Sequence, residues 1–183
     1  MSKTILTAEE INKILERLSY QVLESIKKPN QLALIGIQRR GVDLAYYIHN
    51  FLTQKLNVNI PFGDLDINLY RDDWTCLSHV PYINTSNIPF SLDNKEVILI
   101  DDVIFTGRTI RAALDALMDY GRPTSIKLLV LIDRGHRELP IHPDFVGKKI
   151  NTSLSEKVHV FTLAQDGKSQ VILEEPENSK PTT

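Results

Sequence analysis

Residues 97–109, VILIDDVIFTGRT, constrain the fold of this chain more than any other stretch. Val97, Ile98, Leu99 and Ile100 form a run with no polar position, the pattern of a strand buried on both faces of a sheet. Beyond it the apolar period changes. Ile110, Ala113, Leu114 and Leu117 recur at helical steps, which predicts a helix from about Arg108 to Tyr120, with Gly121 and Pro123 suited to end it. Strand, turn and helix in that order make one unit of a parallel α/β sheet. Such sheets place ligands at the carboxyl ends of their strands.

Two carboxylates, Asp101 and Asp102, are predicted to stand directly after the buried strand. Neighbouring carboxylates that lose hydration repel each other and need compensation. A polyhydroxyl ligand or a divalent cation would supply it, because ionised carboxylates only accept hydrogen bonds. Val103, Ile104 and Phe105 lead from them to Thr106-Gly107-Arg108-Thr109 at the start of the helix. Gly107 allows close backbone approach, the threonine hydroxyls donate, and a helix N-terminus offers unpaired N–H groups and partial positive charge to an anion such as phosphate. Hydroxyl binding one loop away from phosphate binding suits a ribose 5-phosphate. The run contains neither GxxxxGK[ST] nor GxGxxG, which argues against nucleotide triphosphatase and dinucleotide chemistry.

The remaining segments extend the same architecture. Ile11, Ile14, Leu15, Leu18, Val22 and Ile26 mark an amphipathic helix, which Thr7 and Glu10 open with a capping box and Pro29-Asn30 stops. Residues 31–37, 126–132, 158–163 and 170–174 read as strands, and a second helix follows Gly41. Leu65, Ile67 and Leu69 alternate with polar neighbours and predict a half-buried strand over 65–70. Residues 72–94 lack periodicity and are expected to form a flexible lid or loose hairpin over the site. The predicted fold is α/β: one domain over 1–183, with a central, mostly parallel sheet flanked by helices and a frayed tail at 176–183.

Composition narrows the setting. The 183 residues are 42% hydrophobic and 24% charged, as in ordinary globular chains, and the formal net charge of -2 gives no overall basic excess for nucleic acid. Cys76 is the only cysteine, which excludes an internal disulfide and fits a reducing compartment. The opening residues lack a signal-peptide run and no stretch is apolar enough to span a membrane, so a cytoplasmic location is expected. The histidines lack zinc-ligand spacing, and no metal site made by the protein alone is expected.

Three further loops fall at predicted strand ends. Arg39 and Arg40, between Gly36 and Gly41, offer cationic forks on a backbone free to take unusual angles. Tyr70-Arg71-Asp72-Asp73 opens the irregular segment, and Asp133-Arg134-Gly135-His136-Arg137-Glu138 follows residue 132. His136 is a possible general base in a polar loop, but Arg134 is the better site candidate.

The run over 97–109 resembles the 5-phosphoribosyl 1-pyrophosphate (PRPP) signature of type I phosphoribosyltransferases. With LIGIQRRG, LDINLYRDD, MDYGRPTSIKLLVLIDRGHRELP and FVGKKINTS, the chain from about Ile5 to about Val160 resembles the PyrR family of pyrimidine operon regulators that are also uracil phosphoribosyltransferases. The resemblance implies conversion of uracil and PRPP to UMP and pyrophosphate, with Mg²⁺ held mainly by substrate. It implies that Asp101 and Asp102 hold the ribose and that residues 103–109 hold the 5-phosphate. Arg39, Arg40 and Arg71 would face pyrophosphate, and Arg134 would lie near the base.

The resemblance also implies a homo-oligomer, a dimer or higher, that binds pyrimidine leader mRNA when UMP is present. Arg17, His136, Arg137 and Lys148 match that RNA face, whereas Glu16, Tyr20, Ser25 and His142 depart from it. Each lost cation removes a phosphate contact, and Glu16 adds repulsion. Two alternatives stay open at this point: an RNA-binding attenuator with vestigial transferase activity, and a transferase acting on a purine base.

Overall fold

The computed structural model describes residues 2–72 and 85–175. Its strands are β1 (Ser2–Leu6), β2 (Leu32–Ile37), β3 (Phe62–Leu65), β4 (Glu96–Ile104), β5 (Ser125–Asp133), β6 (Phe145–Lys149), β7 (Lys157–Phe161) and β8 (Gln170–Glu174). Its α-helices are α1 (Ala8–Ser25), α2 (Arg40–Leu56), α3 (Arg108–Leu117) and the short α4 (Leu163–Asp166). Five strands form one sheet in the order β3-β2-β4-β5-β6, and every neighbouring pair runs parallel. The predicted α/β class with a central parallel sheet is the observed one. A second, antiparallel sheet in the order β1-β8-β7 joins the first residues to the last described strand.

The apolar runs of β2, β4 and β5 are explained by helices on both faces. Leu32, Leu34, Ile98, Ile100, Leu129 and Leu131 pack with Leu15, Leu18 and Val22 of α1 and Leu44, Ile48 and Leu52 of α2. The alternate residues, among them Ala33, Ile35, Val97, Leu99 and Val130, pack with Ile110, Ala113 and Leu117 of α3. Side chains alternate across a strand, so a strand covered on both faces has no polar position to show. The capping box forms as expected: Thr7 accepts from the Glu10 N–H, and the Glu10 carboxylate accepts from the Thr7 N–H at 2.8 Å.

Several expectations are corrected. β4 continues through Ile104, pairing as far as Ile104 with Asp133, so Asp101 and Asp102 lie within the strand rather than after it. The strand expected over 65–70 is instead β3 followed by a single 3₁₀ turn at Asn68–Tyr70. Asp66 Oδ1 accepts the Asn68 N–H at 2.8 Å, and this side-chain turn draws the backbone out of the sheet. Of the segment expected to be a lid, residues 85–94 are docked: Asn87 pairs with Asp64 on both backbone bonds, and Ile88 and Leu92 are buried. Residues 73–84 of that segment, and the expected frayed tail at 176–183, lie outside the described residues.

Two strands had no sequence forecast. β1 is short and mostly exposed, and its partner is β8, more than a hundred residues away in sequence. β6 is the sheet's edge and contains Gly147, where an added Cβ would stand 2.4 Å from Leu131 O and 2.8 Å from Ile14 Cγ2. α1 therefore lies close over this edge, and Arg17 Nη2 donates to Gly147 O at 2.5 Å.

Candidate active site

A cavity of about 420 Å³ opens at the carboxyl ends of β2, β3 and β4. Gln38 and Arg39 enter it from the β2–α2 loop, Asp66 and Arg71 from the chain after β3, Asp101 and Asp102 from β4, and Thr109 from α3. The topology thus gathers three of the four predicted loops around one space, as a parallel sheet requires.

Asp101 is 6% exposed. Burial pushes its carboxyl well above the usual carboxylate range, and the charge of Asp102 adds to the rise. Burial also raises Asp102, while the Val103 N–H, Asp101 and the charge of Arg40 act in the other direction. Two backbone groups donate to the pair: the Asp102 N–H to Asp101 Oδ1 at 2.9 Å and the Val103 N–H to Asp102 Oδ1 at 2.8 Å. Such a pair favours a ligand that brings hydroxyl donors or positive charge.

The β2–α2 loop reaches these carboxylates because two glycines permit it. A Cβ on Gly41 would stand 2.6 Å from Ile100 O and 3.1 Å from Asp101 Cα, and one on Gly36 would stand 2.5 Å from Val42 Cα. The Gln38–Arg39 peptide between them is cis. Arg39 lines the cavity, but Arg40 does not. The Arg40 guanidinium is paired in bidentate fashion with Asp166, at 2.9 and 3.1 Å, where it faces the ring of Phe161. Thr162 donates to Asp43 beside it. Arg40 thus ties the start of α2 to α4, and its charge also acts on Asp102.

The phosphate loop runs from Phe105 to Thr109. Gly107 takes φ +93°, which a β-carbon disfavours, and α3 begins at the next residue, Arg108. The loop is braced from behind. Thr106 O accepts from the N–H groups of Glu138 and Leu139, and Phe105 O accepts from Arg137 Nη1 at 2.8 Å. Val103 lines the cavity, whereas Ile104 is 1% exposed and turns its side chain into the core. Only the backbone of Ile104 is placed to serve a ligand. The Arg108 side chain points elsewhere than expected, bridging Asp72 at 2.7 Å and Glu138 at 2.6 Å.

Arg134 packs on the same loop from the end of β5. It is 7% exposed, its guanidinium stacks 4.1 Å from the Phe105 ring centre, and it donates to Thr152 Oγ1, Ser153 O and Glu156 O. It thus links the 152–156 segment to the 105–109 loop through Phe105. A smaller cavity of about 310 Å³ lies alongside, between residues 133–136 and 149–152.

The four residues matched to an RNA face all bond to the chain's own backbone. Arg17 meets Gly147 O, His136 Nε2 lies 2.6 Å from Thr152 O, and Lys148 Nζ donates to Ile5 O at 3.2 Å. Arg137 donates to Ile141 O, Phe105 O and Gly135 O and pairs with Asp133 at 2.7 Å. The structure brings His136 and Arg137 together beside the phosphate loop, and Arg17 and Lys148 together beside α1 and β6.

Asp66 was missed by sequence reasoning because it sat in an apparent strand alternation, where a polar residue counts as solvent-facing. The Arg40–Asp166 pair was missed because nothing local links residues so far apart. Among the described residues no three His, Cys, Asp or Glu side chains converge closely enough to hold a metal ion, and no helix is long and apolar enough to cross a membrane.

Comparison with known proteins agrees with this geometry. The phosphoribosyl transferase domain model matches residues 1–166. A bifunctional protein PyrR from Syntrophobacter fumaroxidans is 47% identical over 174 residues, covering 95% of this chain and 94% of that protein. Its counterpart from Caldicellulosiruptor bescii is 50% identical over 173 residues, covering 94% and 95%. The solved hypoxanthine phosphoribosyltransferase of Trypanosoma cruzi, at 18% identity, shares the fold with a TM-score of 0.72 over 96% of this chain and 92% of that one.

Proposed function

The chain belongs to the phosphoribosyl transferase domain family, on its PyrR branch, and we propose that it converts uracil and PRPP to UMP and pyrophosphate in the cytoplasm. The observation that carries the reading is the Asp101–Asp102 pair, Asp101 buried and Asp102 half-buried, set one short loop from the N-terminus of α3. Carboxylates that only accept suit the ribose hydroxyls, and the loop over 105–109 suits the 5-phosphate. Arg39 and Arg71 line the same cavity and suit the charge that collects on the diphosphate as its bond to ribose C1 breaks and the bond from C1 to the base forms. The raised carboxyl groups fit a cation, and Mg²⁺ arriving with PRPP would be held by the substrate with Asp101 and Asp102 nearby. When bound, it supplies neutralisation of the leaving group's charge.

Uracil, hypoxanthine, xanthine and adenine, each offered with PRPP and Mg²⁺, form the direct test. Uracil alone is expected to release pyrophosphate at a substantial rate. Faster turnover of any purine base would overturn the pyrimidine assignment and leave only the transferase class.

A second role follows from membership among proteins named bifunctional: UMP-dependent binding of a pyrimidine operon leader RNA by a homo-oligomer. Arg17, His136, Arg137 and Lys148 already bond to the protein, so each would have to share or exchange a partner to meet a phosphate. Titration of the source organism's leader RNA is expected to show binding that UMP strengthens, with a shallow salt dependence of about two to four phosphate contacts. Absence of binding at low salt would remove the regulatory role and leave the enzyme.

A further inference from the structure

Arg71 lines the cavity from a place outside the sheet. β3 ends at Leu65, and a single 3₁₀ turn at Asn68–Tyr70 leads on to Arg71. The residues on either side of Arg71 are tied to α3 instead. Tyr70 O accepts from Arg111 Nη2 at 2.8 Å, and the Tyr70 phenol donates to Asp119 in the 3₁₀ turn that follows the helix. Asp72 Oδ2 accepts from Arg108 Nη1 at 2.7 Å and lies 4.0 Å from Arg111 Nε. A backbone held on both sides of one residue leaves its side chain few directions to take.

Among these ties the one to Arg111 is the best built. Exposed ion pairs contribute little, and the side chains of Arg108 and Asp72 are 50% and 38% exposed. Arg111 bonds a backbone carbonyl, and its second arm, Nη1, donates to Asp115 Oδ2 at 2.7 Å one turn further along α3. Asp115 thus aims the planar fork. A fork that uses two arms in fixed directions is not replaced by the point charge of a lysine. Arg111 does not line the cavity itself, but the helix that carries it gives Thr109 to the cavity wall and begins at the phosphate loop. One rigid element therefore sets both the anion site at its N-terminus and the place of Arg71. We propose that Arg111 is a positioning residue: through Tyr70 O it holds Arg71 where the diphosphate of PRPP lies, in register with the 5-phosphate at the start of α3. This role rests on the transferase reading of the cavity and belongs to a residue that the reading does not use.

The test compares two ligands, PRPP with Mg²⁺ and UMP, each titrated into the full chain by calorimetry. Both carry a ribose 5-phosphate, and only PRPP carries the diphosphate. Arg111→Met keeps the apolar stem and removes the fork. Arg111→Lys keeps the charge but not the fork, and it guards against a folding defect peculiar to one variant. Arg111→Met is expected to weaken PRPP by about tenfold, the size of one charge-assisted hydrogen bond, and to leave UMP within about twofold. Arg111→Lys should show the same selective loss at smaller size. In an Arg71→Met background either change should weaken PRPP by less than about twofold more, because Arg111 acts through Arg71. Equal weakening of PRPP and UMP in both variants would overturn the proposal and reduce Arg111 to a helix-packing residue. Losses that add fully to that of Arg71→Met would overturn it as well, and so would a PRPP affinity that Arg71→Met leaves unchanged. A wild-type protein that binds neither ligand would overturn the transferase reading itself, a separate result.

Discussion

The Asp101→Asn, Asp102→Asn double variant is expected to lose turnover by about a thousandfold or more, the scale of removing preorganised electrostatic groups, while melting no lower than the wild type. Both carboxyl groups are raised above their ordinary values, chiefly by burial. A carboxyl group whose folded pKa exceeds its unfolded value, about 4, holds its proton more tightly in the folded protein. The folded state is therefore favoured at low pH and loses stability as pH rises from that unfolded value through the folded one. The penalty of ionising the pair grows over that range and is complete only above the folded values. Asparagine has no such penalty, so the stability difference between variant and wild type should widen in the variant's favour from pH 4 upward and then level off. Thermal melts at several pH values, with uracil turnover alongside, measure both effects. Near-normal turnover would remove the pair from the chemistry, and a large fall in melting temperature at neutral pH would refute the account of their burial.

Gly41→Ala is expected to damage stability and substrate affinity together. The new Cβ would lie 2.6 Å from Ile100 O and 3.1 Å from Asp101 Cα, both backbone atoms of β4, so no flexible side chain can yield. Overpacking of this kind costs about 1–3 kcal/mol. In a chain of this size each kcal/mol lowers the melting temperature by roughly 2–4 °C. Relief requires the start of α2 to move off β4, and the loop holding Arg39 moves with it. The KM for PRPP should rise several-fold along with the loss of stability. Gly167→Ala is the comparison, because its Cβ meets nothing within 4 Å and only its φ of +68° opposes the change, at about 1 kcal/mol. Equal melting temperatures for the two variants, with an unchanged KM at Gly41, would show that the close approach has no role.

How far the sequence could be read differs from element to element. β4 and α3 were legible because a buried strand leaves no polar position and a helix repeats its apolar face, and both signals are local. The turn between them was legible for the same reason, since Gly107 and α3 are adjacent in the chain. The strand expected over 65–70 failed because an Asx turn and a half-buried strand show the same alternation of polar and apolar residues. The partners that Arg40, Arg108 and Arg134 take within the protein were not legible. Their partners, Asp166, Asp72 with Glu138, and the backbone of residues 152–156, are 18 to 126 residues away in sequence or are carbonyl groups that every residue has.

The sequence by itself determined the α/β class, the buried strand that leads to the paired carboxylates and the glycine turn into α3. Each follows from periodicity, or from residue types within a few positions of one another, where local sterics and solvation decide the outcome. Tertiary structure alone decided that Asp101 and Asp102 lie inside β4, with their charges opposed by burial. It alone decided that Arg39 lines the cavity while Arg40 clamps Asp166. Those outcomes depend on which distant segment desolvates a group or satisfies it first, and that competition is settled only when the sheet has closed around them.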